Sequence, residues 1–145
     1  MYSKEQFIKI MEPLHGTWTK KAYTKLSRKM STLKSSLKKR SLDYEVKCTV
    51  TSNQIRKLFY QTYGSPCKYC GNALNLRNIA CDHIIPLSKK GPTIIQNLQL
   101  ICKTCNTRKG PLNENDFEML VLLVQDLPDE ISAYVMRKLA KGGRY

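Results

Sequence analysis

Two Cys-x-x-Cys pairs, Cys67/Cys70 and Cys102/Cys105, are the residues of this chain best spaced for chemistry. Zinc takes four ligands near a tetrahedron, and two such knuckles supply two thiolates each. Gly71, directly after Cys70, suits the tight turn of a knuckle. The 31 residues between Cys70 and Cys102 exceed the usual zinc-ribbon gap, so the knuckles must meet across an inserted structure. Two disulfides are the competing reading, which a reducing compartment disfavours. Between and against the knuckles lies a sparse polar set: Asp82, His83, Asn97 and Asn106. An Asp-His pair alone is commonly an ordinary surface pair. Beside a metal frame and two asparagines it suggests hydrolysis of a phosphodiester. That reaction needs a water activated by a base titrating near neutrality, and histidine is the closest side chain. It also needs charge neutralised on the scissile phosphate, which a divalent ion can supply.

Those residues must be positioned by short elements. Ile79 to Ile84 is apolar and β-prone, and Leu98 to Ile101 is a second such run. A loop with Pro86, Gly91 and Pro92 joins them, and a short helix can begin at Lys103. The order is strand, loop, strand, helix. Asp82 and His83 end the first strand, Asn97 opens the second, and Asn106 lies on the helix. Neighbouring strand residues point to opposite faces, so Asp82 and His83 share a site only if the strand bends or ends there. Pro86 favours that. Cys81, between Ala80 and Asp82, reads as core.

With these motifs assembled, the stretch resembles the HNH endonuclease family in its four-cysteine zinc variant. The matching elements are Asp82-His83-x-x-Pro86 and Asn97-Leu98-x-x-x-Cys102-x-x-Cys105-Asn106-x-x-Lys109-Gly110. The resemblance covers roughly Cys67 to Gly110. It implies a ββα-metal fold and metal-dependent phosphodiester hydrolysis, usually of DNA. It implies His83 as general base and Asn97 as the residue that holds the loop and orients that histidine through its backbone. It implies Asp82 and Asn106 as ligands of a catalytic divalent ion. The family name expects His at the last position, where this chain has Asn. A neutral amide oxygen suits Mg²⁺ or Mn²⁺ better than a softer ion. Arg108 and Lys109 lie within a turn of Asn106 and are expected to reach neighbouring phosphates, as are Lys89 and Lys90 in the loop. Members of this size include phage, homing and defence nucleases.

The charge agrees with a polyanionic partner. The chain has 145 residues, with 25 Lys and Arg against 11 Asp and Glu. Residues 1–63 hold fourteen of the basic side chains and only four of the acidic ones. Such a field favours nucleic acid first and anionic membrane second, and a merely soluble basic surface is the bland alternative. No apolar run reaches the roughly 18–20 residues that span a bilayer, and the start has no signal-peptide pattern. A cytoplasmic location with reduced thiols is expected, which points the six cysteines to metal.

The rest of the chain reads as support. A short helix is expected over residues 4–12, with Phe7, Ile8 and Met11 on one side. Pro13 and Gly16 end it, and His15 has no assigned role. From Thr19 to Arg40 a helical stripe of Leu26, Met30, Leu33 and Leu37 is surrounded by Lys20, Lys21, Lys25, Arg28, Lys29, Lys34, Lys38, Lys39 and Arg40. Three readings fit it: a helix laid along a phosphate backbone, a solvated face, or a membrane-surface helix that lacks aromatic anchors. The first is preferred, with double-stranded DNA as the expected partner. Tyr44, Val46, Cys48 and Val50 alternate with polar residues, which predicts a half-buried strand with Cys48 packed inside. Thr51 and Gln54 fit a capping box for a helix to Thr62 that buries Ile55, Leu58 and Phe59. Asn113 is a candidate cap for a helix to Gln125, with Phe117, Leu120, Val121 and Val124 inward and Leu122 and Leu123 widening that face. Pro128 should start a last helix that buries Ile131, Val135 and Leu139, and the terminal Gly-Gly-Arg-Tyr is expected to fray.

The expected whole is one compact α+β domain. It comprises a basic, mostly helical region over 1–63 with one strand, a zinc-braced ββα-metal module over 64–112, and supporting helices over 113–145. A zinc-stabilised nucleic-acid-binding module without catalysis is the alternative. A zinc module for protein partners is a third reading, which leaves the charge unexplained.

Overall fold

The computed structural model of the chain describes Glu5 and residues 19–141. Apart from Glu5, the expected helix over 4–12, the break with His15, and the tail lie outside the described residues.

Helix α1, Lys20–Asp43, starts where Thr19 Oγ1 accepts a bond from the Ala22 N–H at 3.1 Å. Its stripe inserts Leu26, Met30 and Leu37 into the core, with Leu33 half-buried against it. Truncating a fully buried leucine such as Leu26 to alanine costs about 2–5 kcal/mol. The helix is therefore a structural wall of the site as well as a charged surface.

The strand expected over Tyr44–Val50 does not form. The chain leaves α1 through Glu45 at φ 55°, runs extended, and makes one parallel bridge between Cys48 and Thr93. Thr93 N donates to Lys47 O at 2.8 Å, and Thr49 N donates to Thr93 O at 3.1 Å. The alternation is real, but no strand among the described residues runs alongside it. Only Val50 is buried, and Cys48 and Tyr44 are exposed. Helix α2, Ser52–Thr62, has the reciprocal capping box of Thr51 and Gln54, and buries Ile55, Phe59 and Tyr60, with Leu58 half-buried.

Strand β1, Ile79–His83, pairs antiparallel with β2, Leu98–Cys102, from Ile79 opposite Cys102 to His83 opposite Leu98. Helix α3, Lys103–Lys109, follows at once and ends at Gly110. This is the expected ββα unit within an α+β fold. Helix α4, Glu114–Gln125, is capped by Asn113, whose Oδ1 accepts from Asp116 N at 2.8 Å. Helix α5, Asp129–Ala140, follows Pro128.

The faces of the last two helices differ from expectation. In α4 only Phe117 and Val124 are buried, while Leu122 and Leu123 stand 63% and 61% exposed. In α5 no residue is buried, and Ile131 is half in solvent. Helix α5 packs on both α3 and α4, and Leu122, Leu123 and Ile131 stay largely exposed. Arg108 Nε, donating to Met136 O at 3.1 Å, ties α5 to α3.

Candidate active site and metal centre

The sulfurs of Cys67, Cys70, Cys102 and Cys105 all lie within 4.8 Å of one another. The first knuckle turns at Gly71, φ 78°, with Gly71 N donating to Cys67 O at 2.9 Å. The second spans the end of β2 and the first turn of α3, so the sheet and helix carry it. Zinc–sulfur bonds of about 2.3 Å place tetrahedral sulfurs about 3.8 Å apart. The Cys70 to Cys102 separation is 3.6 Å. Backbone N–H groups already point at the sulfurs: Cys102 N at Cys67 Sγ, 3.5 Å, and Cys105 N at Cys102 Sγ, 3.4 Å. Burial pushes the Cys67 thiol up, but N–H groups of Cys102, Tyr69 and Cys70 outweigh it and leave the pKa at about 7. Burial and neighbouring sulfurs push Cys105 well up, a bias that a bound divalent cation reverses. The donor set, spacing and N–H groups fit a structural zinc ion. Cys81 lies apart, 8% exposed, its pKa raised to about 12 chiefly by burial, and is core as expected.

Three of the four polar residues meet at one cavity of about 280 Å³, lined by Asp82, His83 and Asn106 with Arg40, Tyr44 and Thr107 among others. β1 ends at His83, which lets both adjacent residues border the same space. Asn106 enters from α3, one residue after the zinc-cluster residue Cys105. Asn97 does not line the cavity. It closes the loop behind it: Oδ1 accepts from Ile85 N at 2.8 Å, and Nδ2 donates to Ile85 O at 3.1 Å and Pro92 O at 2.9 Å. Its carbonyl accepts from Ile84 N at 2.9 Å. The close approach also needs Gly91, where a Cβ would overlap the Ile85 carbonyl.

Lys109 overturns an expectation. It is fully buried rather than free to meet a phosphate. Its Nζ reaches Asp82 Oδ1 at 3.2 Å, Asp82 Oδ2 at 3.1 Å and donates to His83 O at 3.0 Å. Gln99 Nε2 donates to Asp82 Oδ2 at 2.9 Å. The β1 carboxylate and the α3 cation thus tie strand to helix in the interior of the ββα unit. Removing one member of a buried pair leaves an uncompensated charge, so Lys109→Ala should lower unfolding stability by about 3–5 kcal/mol. A chemical-denaturation midpoint close to the parent's would contradict this.

The other expected DNA contacts divide. Lys20, Lys21, Lys25, Arg28, Lys38 and Lys39 are exposed along α1. Lys29 is turned in and donates to Leu76 O. Arg108 is held by α5, Lys90 Nζ donates to Tyr44 O at 2.8 Å, and Lys89 sits 3.7 Å from Asp116. Arg40, grouped with the helix lysines in the sequence, lies on the cavity wall beside His83.

His83 is 4% exposed. Burial first, then the Arg40 charge, lowers its pKa to about 4; Asp82 pulls it up and Lys109 opposes that. The imidazole is thus neutral at physiological pH, but it titrates below the near-neutral range expected for the base from the sequence. Its Nε2 lies 2.8 Å from Thr93 Oγ1, and Thr93 lies 2.5 Å from Ser41 Oγ. Neither hydroxyl had a sequence signal: Thr93 is ten residues from His83 and Ser41 more than forty.

A divalent ion beside this cavity would find one carboxylate, Asp82, and one amide oxygen donor, Asn106. That sparse oxygen set fits Mg²⁺ or Mn²⁺, which keep several waters and share phosphate oxygens. Lys109 neutralises part of the carboxylate charge. Among the described residues the cysteine cluster is the only group of three or more His, Cys, Asp or Glu placed to hold a metal.

The segment that holds the cysteine cluster, the ββα unit and the cavity residues Asp82, His83 and Asn106 is similar to a known module: residues 67–112 match the model of the HNH endonuclease family. A stretch of 51 residues is 37% identical to the CRISPR-associated endonuclease Cas9 of Corynebacterium diphtheriae. That match covers 34% of this chain and 5% of the relative's length. No helix of the described residues is long and apolar enough to cross a membrane.

Proposed function

We propose that the chain is an endonuclease that hydrolyses phosphodiester bonds of DNA, with double-stranded DNA as substrate. The observation that carries this reading is the convergence of Asp82, His83 and Asn106 on one cavity inside the segment that matches the HNH family. His83, neutral and at the cavity wall, takes a proton from the attacking water. Asp82 and Asn106 would hold Mg²⁺ or Mn²⁺, which when bound neutralises charge on the phosphate and leaving oxygen. Arg40 offers a guanidinium fork to a phosphate oxygen. Asn97 keeps the loop closed, and a structural zinc ion at the four cysteines fixes where Asn106 sits.

The test is conversion of supercoiled plasmid by zinc-loaded protein with Mg²⁺ or Mn²⁺, and without either. Cation-dependent nicking or linearisation is expected. The Asp82–Lys109 ion pair favours a second reading, a binding module without catalysis, because it occupies the one carboxylate of the set. That reading predicts retained DNA binding and intact plasmid under every condition.

The exposed lysines of α1 should set affinity. If about six phosphate contacts form, log K falls with log salt at a slope near −5. Truncating α1 would remove core leucines, so point changes are the proper probe. Replacing Lys20, Lys21, Lys25 and Lys38 by alanine should flatten the slope by about 3.6 if each makes one contact. An unchanged slope in that variant would place the DNA on another face.

A further inference from the structure

We infer that Ser41 and Thr93 form a one-directional hydrogen-bond chain from α1 that fixes which nitrogen of His83 carries the proton, leaving Nδ1 as the basic atom. This deepens the proposed nuclease reading and rests on it for its link to turnover.

The polarity follows from counting protons. Ser41 Oγ lies 2.6 Å from Leu37 O. A carbonyl only accepts, so the single hydroxyl proton of Ser41 is spent there. Ser41 Oγ and Thr93 Oγ1 are 2.5 Å apart, and with Ser41 committed, Thr93 must donate to it. The proton of Thr93 is then spent as well. Thr93 Oγ1 therefore accepts from His83 Nε2 across 2.8 Å. A neutral imidazole with its proton on Nε2 has its lone pair on Nδ1. No described residue bonds Nδ1, and His83 borders the cavity that holds Asp82 and Asn106.

The chain is well fixed. Ser41 is 1% and Thr93 0% exposed, so water does not compete for either hydroxyl. The Thr93 backbone is clamped on both sides by Lys47 and Thr49. The extended segment that fails as a strand thus holds Thr93 against the imidazole. When a water O–H bond breaks and its proton passes to Nδ1, the Nε2–H stays on Thr93. The new positive charge meets acceptors aligned toward Leu37 O, and no proton needs to travel along them. Thr93 and Ser41 are positioning residues, since neither lines the cavity.

The measurement is ring-nitrogen NMR on zinc-loaded, histidine-labelled protein at neutral pH, assigned with a His15→Gln variant. The parent should show His83 as the Nε2–H tautomer. Ser41→Ala, which does not touch His83, frees the Thr93 proton to point at Nε2, so the Nδ1–H form should appear. Thr93→Val should give a mixture, and Thr93→Ser should keep the parent tautomer. Plasmid turnover should fall at least ten-fold in Ser41→Ala and Thr93→Val with KM within a few-fold, because a wrong tautomer disables a base without changing binding. Parent protein showing His83 as Nδ1–H overturns the inference without any variant needing to fold. So does Ser41→Ala retaining the parent tautomer. A parent with the Nε2–H tautomer that never cuts plasmid leaves the chain standing and sinks the nuclease reading. A parent that cuts through His83 in the Nδ1–H form does the reverse.

Discussion

His83→Ala is expected to cut plasmid turnover by a factor on the order of 10² or more while affinity for DNA stays within a few-fold. The substitution removes the imidazole that lines the cavity. It leaves the four cysteines and the exposed lysines of α1 in place. Binding, set by phosphate contacts elsewhere, should survive. The pH dependence gives a second reading of the same residue. A base must be unprotonated, so activity rises with pH through its pKa. An ordinary histidine would give half-maximal activity near about pH 6.5. Burial lowers His83 to about 4, so the acid limb should end early and turnover should be level between about pH 6 and 8. The stability effect has the same origin. The unfolded chain binds a proton at His83 below its ordinary pKa, whereas the folded chain does so only near 4. Stability therefore falls as pH drops through that window. Asn106→Ala should also lose activity, with partial recovery at high Mn²⁺. If the parent cuts plasmid and His83→Ala cuts it equally fast, the active site lies elsewhere.

Cys105→Ser should unfold the ββα module. The four sulfurs share one cluster, and Cys105 sits 1% exposed at the start of α3. Binding of a structural zinc ion is folding free energy, on the order of 10 kcal/mol in small zinc modules, which rivals the whole stability of a domain this size. Losing one thiolate should release the ion, melt the start of α3 and displace Asn106. Metal analysis is expected to give one zinc per chain for the parent and little for the variant. A variant that melts with the parent, or a parent purified without chelator that holds no zinc, would falsify this assignment.

The elements around the site were legible because their signals are local. The capping box at Thr51, the cap at Asn113, the β-prone runs and the knuckles each depend on a few adjacent residues. The strand over Tyr44–Val50 misleads because alternation reports a face, not a partner, and among the described residues only Thr93 bridges it. The outward leucines of α4 and the half-exposed Ile131 of α5 misled for a related reason: periodicity predicts a stripe, and tertiary packing decides whether anything covers it. From the sequence Lys109 is expected at a phosphate because a lysine is ordinarily exposed. Its burial follows from Asp82 lying across the unit, a pairing between residues 27 apart. The Ser41–Thr93 chain was illegible because hydroxyls are common and only their meeting in space distinguishes these two.

The 31-residue gap between Cys70 and Cys102 has a kinetic consequence. Joining the two knuckles closes a loop whose entropic cost, by the cross-link relation, is about 3–4 kcal/mol. Nearly every group of the cavity, His83 included, lies within that loop or immediately beyond it. A metal ion captured early by both knuckles would shorten the search for the β1–β2 register. Refolding from denaturant should then speed up with free zinc until capture is no longer limiting, and a chain held under chelation should not regain its sheet until zinc is returned.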